Sequence, residues 1–337
     1  MKILFPLAQA DSGSDVFTYN LVSGLNNSSI QADIQNLPRW SGYVPSFMGK
    51  ICKSAGYDII HANTWNGYPF KNNNQPLLVT EHLLVHDPIF LPYKTSLQRL
   101  YHSYIFQWEK KSINVADSVI SISNYTKNKI EEVFGYSDSI LIYNGIDENF
   151  FKPFDVENQR IDSNIVVPSK NTILFFSGNA TIRKGGDLLP KIMNELGDKY
   201  SLLISGGLRK NTHLNAPNII STGKLSLHEL VEIYNYADIF LFPTRLEGFG
   251  LSVAEAMACG KPVVTTDCSS MPELVVDGKG GFLCEMDNVK DFAESIRILA
   301  EDSSLRREMG LFNRNRVEKK FTLDRMVQEY IREYKYL

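Results

Sequence analysis

Glu247 and Glu255 stand eight positions apart in RLEGFGLSVAEAMACGKPVV, residues 245–264, with Phe249 and Gly250 between them and a Cys-Gly-Lys-Pro break behind them. A carboxylate accepts two hydrogen bonds, so each glutamate suits a vicinal diol of a sugar or a ribose. The stretch between them reads as a loop entering a helix that starts near Gly250 and ends at Gly260 and Pro262. The first amides of such a helix are unpaired and carry the positive end of its dipole, which makes a phosphate the natural ligand. Gly250 lets that backbone come close to it. Two diol clamps around an anion seat describe a nucleoside diphosphate sugar. Taken singly, a loop glutamate is ordinarily a solvated charge, and one early in a helix a dipole partner. The spacing around GFG separates the two readings.

A second constellation points the same way. FFSGNATIRKGGDLLPKI, residues 175–192, reads as a strand, a glycine turn at Gly178, and then Arg183, Lys184, Gly185 and Gly186 opening a helix. Backbone amides and paired cations there form a diphosphate seat; the alternative is an ordinary loop with two solvated cations. Competing chemistries lack their signatures. No G-x-G-x-x-G follows the first strand, no G-x-x-x-x-G-K-[ST] occurs, and no Asp-x-Asp is present to hold a metal-bound nucleotide sugar. Turnover without a divalent metal is therefore expected. The four cysteines, Cys52, Cys259, Cys268 and Cys284, form no zinc or disulfide pattern and suit a reducing cytoplasm.

These motifs need elements to hold them. In 337 residues, enough for two domains of ordinary size, short apolar runs alternate with longer amphipathic ones. KILFPLA, DIIHAN, PLLVTEH, DSVISIS and SILIYN read as strands of a first domain, residues 1–150. A turn-rich connection, residues 151–170, follows. TILFFSG, YSLLISGG, NIIST, ADIFLFP and KPVVTT read as strands of a second domain, residues 171–320. Residues 321–337 read as a helix expected to pack back on the first domain. The expected class is α/β, two Rossmann-like doubly wound domains facing a central cleft, with ligand at the carboxyl ends of the strands. Net charge is only -3, and residues 1–150 hold 11 Lys and Arg against 13 Asp and Glu, so no field recruits nucleic acid. The amino-terminal apolar run is too short for a signal peptide, and no apolar stretch reaches a membrane span.

On these residues the chain resembles a GT-B glycosyltransferase of the large retaining family four, the group 1 glycosyl transferases. Glu247 and Glu255 match its E-x7-E element, with VAEAMACGKPVV continuing the pattern; Gly178, Lys184 and Gly185 match its Gly-x5-Lys-Gly element. YNGIDENFFKP resembles its interdomain signature, MPELV its proline-glutamate turn, and DSGSDVFTYNLV, with Gly13, its amino-terminal glycine loop. The resemblance implies a role for each matched residue. Glu255 would hold the ribose hydroxyls and Glu247 the transferred sugar. Phe249, Gly250 and Leu251 would offer amides, and Lys184 its charge, to the departing diphosphate. Lys224 and Leu225 would read the base, and His82 in VTEH would face sugar or acceptor, although a histidine at a strand end is as often a satisfied structural residue. Many members carry an arginine directly after the loop glycine, where this chain has Asn179; Arg183, Arg209 or Lys210 is expected to supply that charge.

The resemblance implies a retaining, metal-independent transfer of a hexose-type sugar from a nucleotide diphosphate sugar to a glycan, lipid-linked or other hydroxyl acceptor. No cofactor beyond that co-substrate is expected, and the implied setting is cell-surface polysaccharide or glycolipid synthesis in the cytoplasm. Two other readings stay open: a catalytically silent nucleotide-sugar-binding partner subunit, and a GT-B hydrolase or epimerase. Aromatics interleaved with lysines in YHSYIFQWEKK and VPSFMGKICK suit peripheral contact with the inner face of the plasma membrane, against a core helix with a solvated basic end.

Overall fold

The computed structural model describes residues 1–72, 74–154, 171–206 and 216–337. Arg209, Lys210 and most of the expected connection lie outside the described residues. The chain divides into two units, Met1–Gly145 with Leu323–Leu337, and Ile146–Thr322.

The first unit runs β1 (Lys2–Leu7), α1 (Gly13–Asn27), β2 (Gln31–Asn36), α2 (Pro45–Ile51), β3 (Ile59–Asn63), β4 (Leu77–Glu81), α3 (Ser96–Val115), β5 (Ser118–Ser121), α4 (Asn124–Phe134) and β6 (Ile140–Leu141). All pairings are parallel, in the order β2-β1-β3-β4-β5-β6. The central strands are buried along almost their whole length because helices cover both faces, and they are mostly apolar. β2 was not expected: it lies at the edge, and of QADIQN only Ala32 is buried, so it carries little apolar signal. Two of its helices, α3 and α4, start on side-chain caps. Thr95 and Gln98 form a capping box at α3, and Ser123 caps α4, which ends on Gly135 at φ 71°.

The second unit runs β7 (Thr172–Ser177), α5 (Leu189–Leu196), β8 (Tyr200–Ser205), β9 (Ile219–Gly223), α6 (Leu227–Tyr236), β10 (Ile239–Phe242), α7 (Leu251–Ala258), β11 (Val263–Thr266), α8 (Met271–Leu274), β12 (Gly281–Cys284), α9 (Val289–Glu301) and α10 (Ser303–Lys320). Its parallel sheet is ordered β12-β11-β10-β7-β8-β9. Chain order reverses between β7 and β10, which pair directly at Leu174–Ile239 and Phe175–Phe240. A crevice at the carboxyl ends of two such strands is where doubly wound sheets bind ligands. β12, another short edge strand, was also not expected.

The last helix, α11 (Leu323–Tyr336), belongs to the first unit. Met326, Val327, Tyr330 and Tyr334 join Phe17, Leu21 and Leu25 of α1 in one core. A methyl at Gly24 would stand 2.4 Å from Val327 Cγ2, so α1 and α11 meet with no room for a side chain there. The buried ring of His61 is held between Tyr334 Oη at 2.6 Å and Thr80 Oγ1 at 2.8 Å.

Candidate active site

β7 and β10 deliver their following loops to the same edge of the second sheet. After β7 the chain turns at Gly178, φ 109°, and a Cβ there would lie 3.0 Å from Lys184 Nζ. Glycine thus leaves the space that the ammonium fills. The ammonium also rests 5.4 Å from the centre of the Phe242 ring, at the end of β10. No hydrogen bond or ion pair reaches Lys184 Nζ from the described residues. Burial pulls its pKa below the ordinary lysine range; Arg183 acts in the same direction, while Glu247 and Glu255 oppose both. A cation so placed is an incomplete electrostatic arrangement that an anion would complete.

One expectation about this loop is corrected. Arg183, Lys184, Gly185 and Gly186 do not open a helix; consecutive turns span residues 182–188, and α5 begins only at Leu189. The reason is local. Gly185 takes φ 70°, outside the helical region, and its Cα lies against Pro243, whose carbonyl oxygen would be 1.8 Å from a methyl there. Gly186 is crowded too, a methyl there falling 2.3 Å from the Ala180 carbonyl oxygen.

After β10 comes the glutamate loop. Glu247 Oε1 accepts from Arg183 Nη1 at 2.7 Å, and the Leu246 carbonyl accepts from the same nitrogen at 2.5 Å. Arg183 is therefore engaged by the first glutamate, while no described residue engages Lys184 beside it in this way. The Glu247 amide donates to Ser269 Oγ at 3.1 Å, and Ser270 Oγ lies 3.0 Å from the carbonyls of Glu247 and Phe249. Phe249 is buried, edge-on to Phe321 at 5.6 Å, and anchors the turn. Gly250, at φ 98°, caps α7, and Leu251 and Ser252 begin it with amides aimed out of the helix. A turn further on, Glu255 Oε2 accepts from Tyr234 Oη at 2.8 Å. Burial pushes the Glu255 carboxyl up to about 7, against the pull of that hydroxyl and of Lys184.

Arg245 escaped sequence reasoning. It is 2% exposed and joins both loops. Its guanidinium donates to Asp187 at 2.6 and 2.9 Å, to Asp287 at 2.7 Å and to the Ile182 carbonyl at 2.5 Å, while its amide donates to the Arg183 carbonyl at 2.8 Å. It is a positioning residue that fixes the cation loop against the glutamate loop. A planar fork of donors suits that task where a lysine would not. The arginine's place in the loop after a buried strand, two residues before Glu247, was its only signal.

Lys224 and Leu225 lie on the turn between β9 and α6, Lys224 exposed and Leu225 half-buried, after Gly223 at φ 73°. In the first unit Gly13 opens α1, whose cap Ser12 forms a capping box with Asp15. His82 follows β4; its Nε2 lies 3.0 Å from Asn63 Oδ1, its ring meets Phe17 edge-on at 4.7 Å, and burial drops its pKa to about 3. It is a neutral imidazole. Next to it in sequence, Glu81 is fully buried, accepting from Thr64 Oγ1 at 2.7 Å, and His86 Nε2 lies 2.5 Å from the buried Glu109. Burial pushes the Glu109 carboxyl up to about 8.

Two family models match the chain: that for glycosyl transferases group 1 over residues 157–316, and that for glycosyltransferase family 4 over residues 11–150. The capsular polysaccharide biosynthesis glycosyltransferase CapM of Staphylococcus aureus is 30% identical over 241 residues, 65% of this chain and 61% of that protein. Among solved structures, the sucrose-phosphate synthase of Thermosynechococcus elongatus superposes with a TM-score of 0.86 at 20% identity, over 100% of this chain and 98% of that one. HepE of Anabaena, solved with UDP and glucose, gives 0.78 at 18% identity over the whole of both chains. At such identities the structural likeness shows the fold.

Proposed function

The chain is a group 1 glycosyltransferase of family four, with the GT-B pair of Rossmann-like folds, and from that premise we propose that it moves a hexose-type sugar from a nucleotide diphosphate sugar to a glycan, lipid-linked or other hydroxyl acceptor, with retention and without a metal. One observation carries the reading. The Lys184 ammonium, which no hydrogen bond or ion pair reaches among the described residues, the first amides of α7 and the carboxylates of Glu247 and Glu255 all lie on the segments that follow β7 and β10, the strands at the switch point. HepE was solved with UDP and glucose, and CapM is named for capsular polysaccharide synthesis, which supports the donor class and the setting.

In this reading Glu255 accepts the ribose hydroxyls and Glu247 those of the sugar. Lys184 and the amides from Phe249 to Leu251 face the diphosphate. As the bond from sugar C1 to the phosphate oxygen breaks, its electron pair leaves with the diphosphate, and charges already in place stabilise it without reorganising. The acceptor oxygen bonds to C1 on the face just vacated, and its proton passes to the departing phosphate oxygen. A lysine and helix amides do here what a metal does in other sites.

The test is a thermal-shift panel of UDP-, GDP- and ADP-sugars on the wild-type chain and on Glu255→Ala, repeated in chelator. A donor held at this site raises the melting temperature by mass action, with the shift kept in chelator and lost in the variant. Donor binding that vanishes in chelator and returns with magnesium would defeat the metal-free reading. Acceptor-stimulated release of nucleoside diphosphate then separates a transferase from a silent subunit or a hydrolase.

A further inference from the structure

The first unit leaves large apolar side chains in water along one continuous strip. Leu97, Leu100 and Tyr104 of α3 are 76, 58 and 57% exposed, and their spacing puts them on one face of the helix, apart from the buried Ile105, Glu109 and Ile113. Tyr101 of that face meets Tyr43, itself exposed, at a ring distance of 5.9 Å. From the same helical turn, Arg39–Tyr43, Trp40 packs on Phe47 of α2 at 4.9 Å, and both remain exposed. Apolar surface gathered in this way marks a place where something binds.

Charge identifies the occupant. Residues 34–57 hold three cations, Arg39, Lys50 and Lys53, and no carboxylate; residues 88–116 hold Lys94, Arg99, Lys110 and Lys111 against a single carboxylate, Glu109, which is 0% exposed. Arg39 is paired with Asp11 and Lys94 is buried, so Lys50, Lys53, Arg99, Lys110 and Lys111 present the field to solvent. The balanced composition of residues 1–150 conceals this segregation. A second copy would bring these unbalanced cations against their own counterparts, and exposed leucines offer nothing to a nucleic-acid base. Aromatic and aliphatic side chains flanked by lysines match the headgroup boundary of an anionic bilayer, where rings and leucines enter the acyl edge and cations stay among the phosphates. Among the described residues no helix is long and apolar enough to cross a membrane. We propose that the strip formed by the Arg39–Tyr43 turn, α2 and the first half of α3 binds the surface of an anionic phospholipid bilayer.

Co-sedimentation of the full chain with vesicles of phosphatidylcholine, alone or mixed with phosphatidylglycerol, tests this. No donor or acceptor is added, so the outcome is independent of the transfer reading. The wild type is expected to pellet with the anionic vesicles, less at high salt, and to stay in solution with the neutral ones. Lys50→Glu/Lys53→Glu/Arg99→Glu is expected to lower partitioning on the order of a hundredfold at low salt, from a few-fold per cation. Leu97→Ser/Leu100→Ser/Tyr104→Ser is expected to lower it at every salt concentration by a similar factor. Circular dichroism and melting of each variant establish that it is folded; should the serine triple misfold, Trp40→Ser carries the same reading. Wild-type protein left in solution with both vesicle types overturns the proposal. So does a serine variant that pellets like wild type, or a concentration-dependent dimer in sedimentation velocity that the serine variant abolishes.

Discussion

At the scale of single residues, the two glutamates of the motif are held differently, and the difference is chemical. Glu247 is already paired, with Arg183 at 2.7 Å, whereas Glu255 has one oxygen engaged by Tyr234 and a carboxyl that burial pushes up to about 7. A ribose diol needs an ionised acceptor. Donor affinity is therefore expected to rise as pH climbs through about 7, with Glu255→Gln flattening the profile; calorimetric titration at about pH 6 and about pH 8 reads it, and equal wild-type affinities would remove Glu255 from the ribose. Folding responds with the opposite sign. A carboxyl whose pKa is raised in the fold stabilises below its ordinary 4.5 and loses that contribution as pH rises through about 7. The residue types and their spacing were legible from the chain. That Arg183 pairs with Glu247, while no such partner reaches Lys184 among the described residues, was not, because both cations sit in one tetrapeptide and only the loop's path tells them apart.

At the scale of elements, the site is two loops held in register. Both follow central strands, β7 and β10, whose continuous apolar runs made them visible. The edge strands β2 and β12 were missed, since one is polar and the other begins with glycine. The helix expected at Arg183 proved to be a run of turns, because Gly185 must pass under Pro243. Arg245 ties the loops together through two aspartates and a carbonyl. Arg245→Ala is expected to lower stability by about 2–3 kcal/mol, below the usual loss for a broken buried pair because Asp187 and Asp287 are part-exposed and can be rehydrated. Arg245→Lys keeps the charge without the fork, and should recover much of the melting temperature while leaving kcat/KM reduced at least tenfold. Recovery of both together would reduce Arg245 to a structural residue. Gly185→Ala is expected to abolish donor binding, since a methyl 1.8 Å from a carbonyl oxygen forces the loops apart.

At the scale of the whole molecule, chain continuity and core do not coincide, for the last helix completes the first unit. Met326, Val327, Tyr330 and Tyr334 are each at most 2% exposed. At about 1.5–3 kcal/mol for each large apolar side chain buried, their sum rivals the roughly 5–15 kcal/mol that holds a domain together. A chain ending at Thr322 is expected to lose the near-ultraviolet dichroism and protease resistance of the first unit; an unchanged digestion pattern would show that α11 is dispensable. Local chemistry was written plainly in the amino-acid order. Apolar runs of strand length, glycines before cations, and two glutamates eight apart imply parallel sheets and an anion-binding, diol-binding chemistry, because each depends on neighbours within one element or one turn. Folding alone decided which of the two cations pairs with Glu247, which arginine locks the loops, and which exposed rings of distant segments come into contact. Those outcomes rest on groups tens of residues apart, such as Arg245 with Asp187 and Asp287, whose encounter is set by strand order and packing and leaves no periodic trace in the chain.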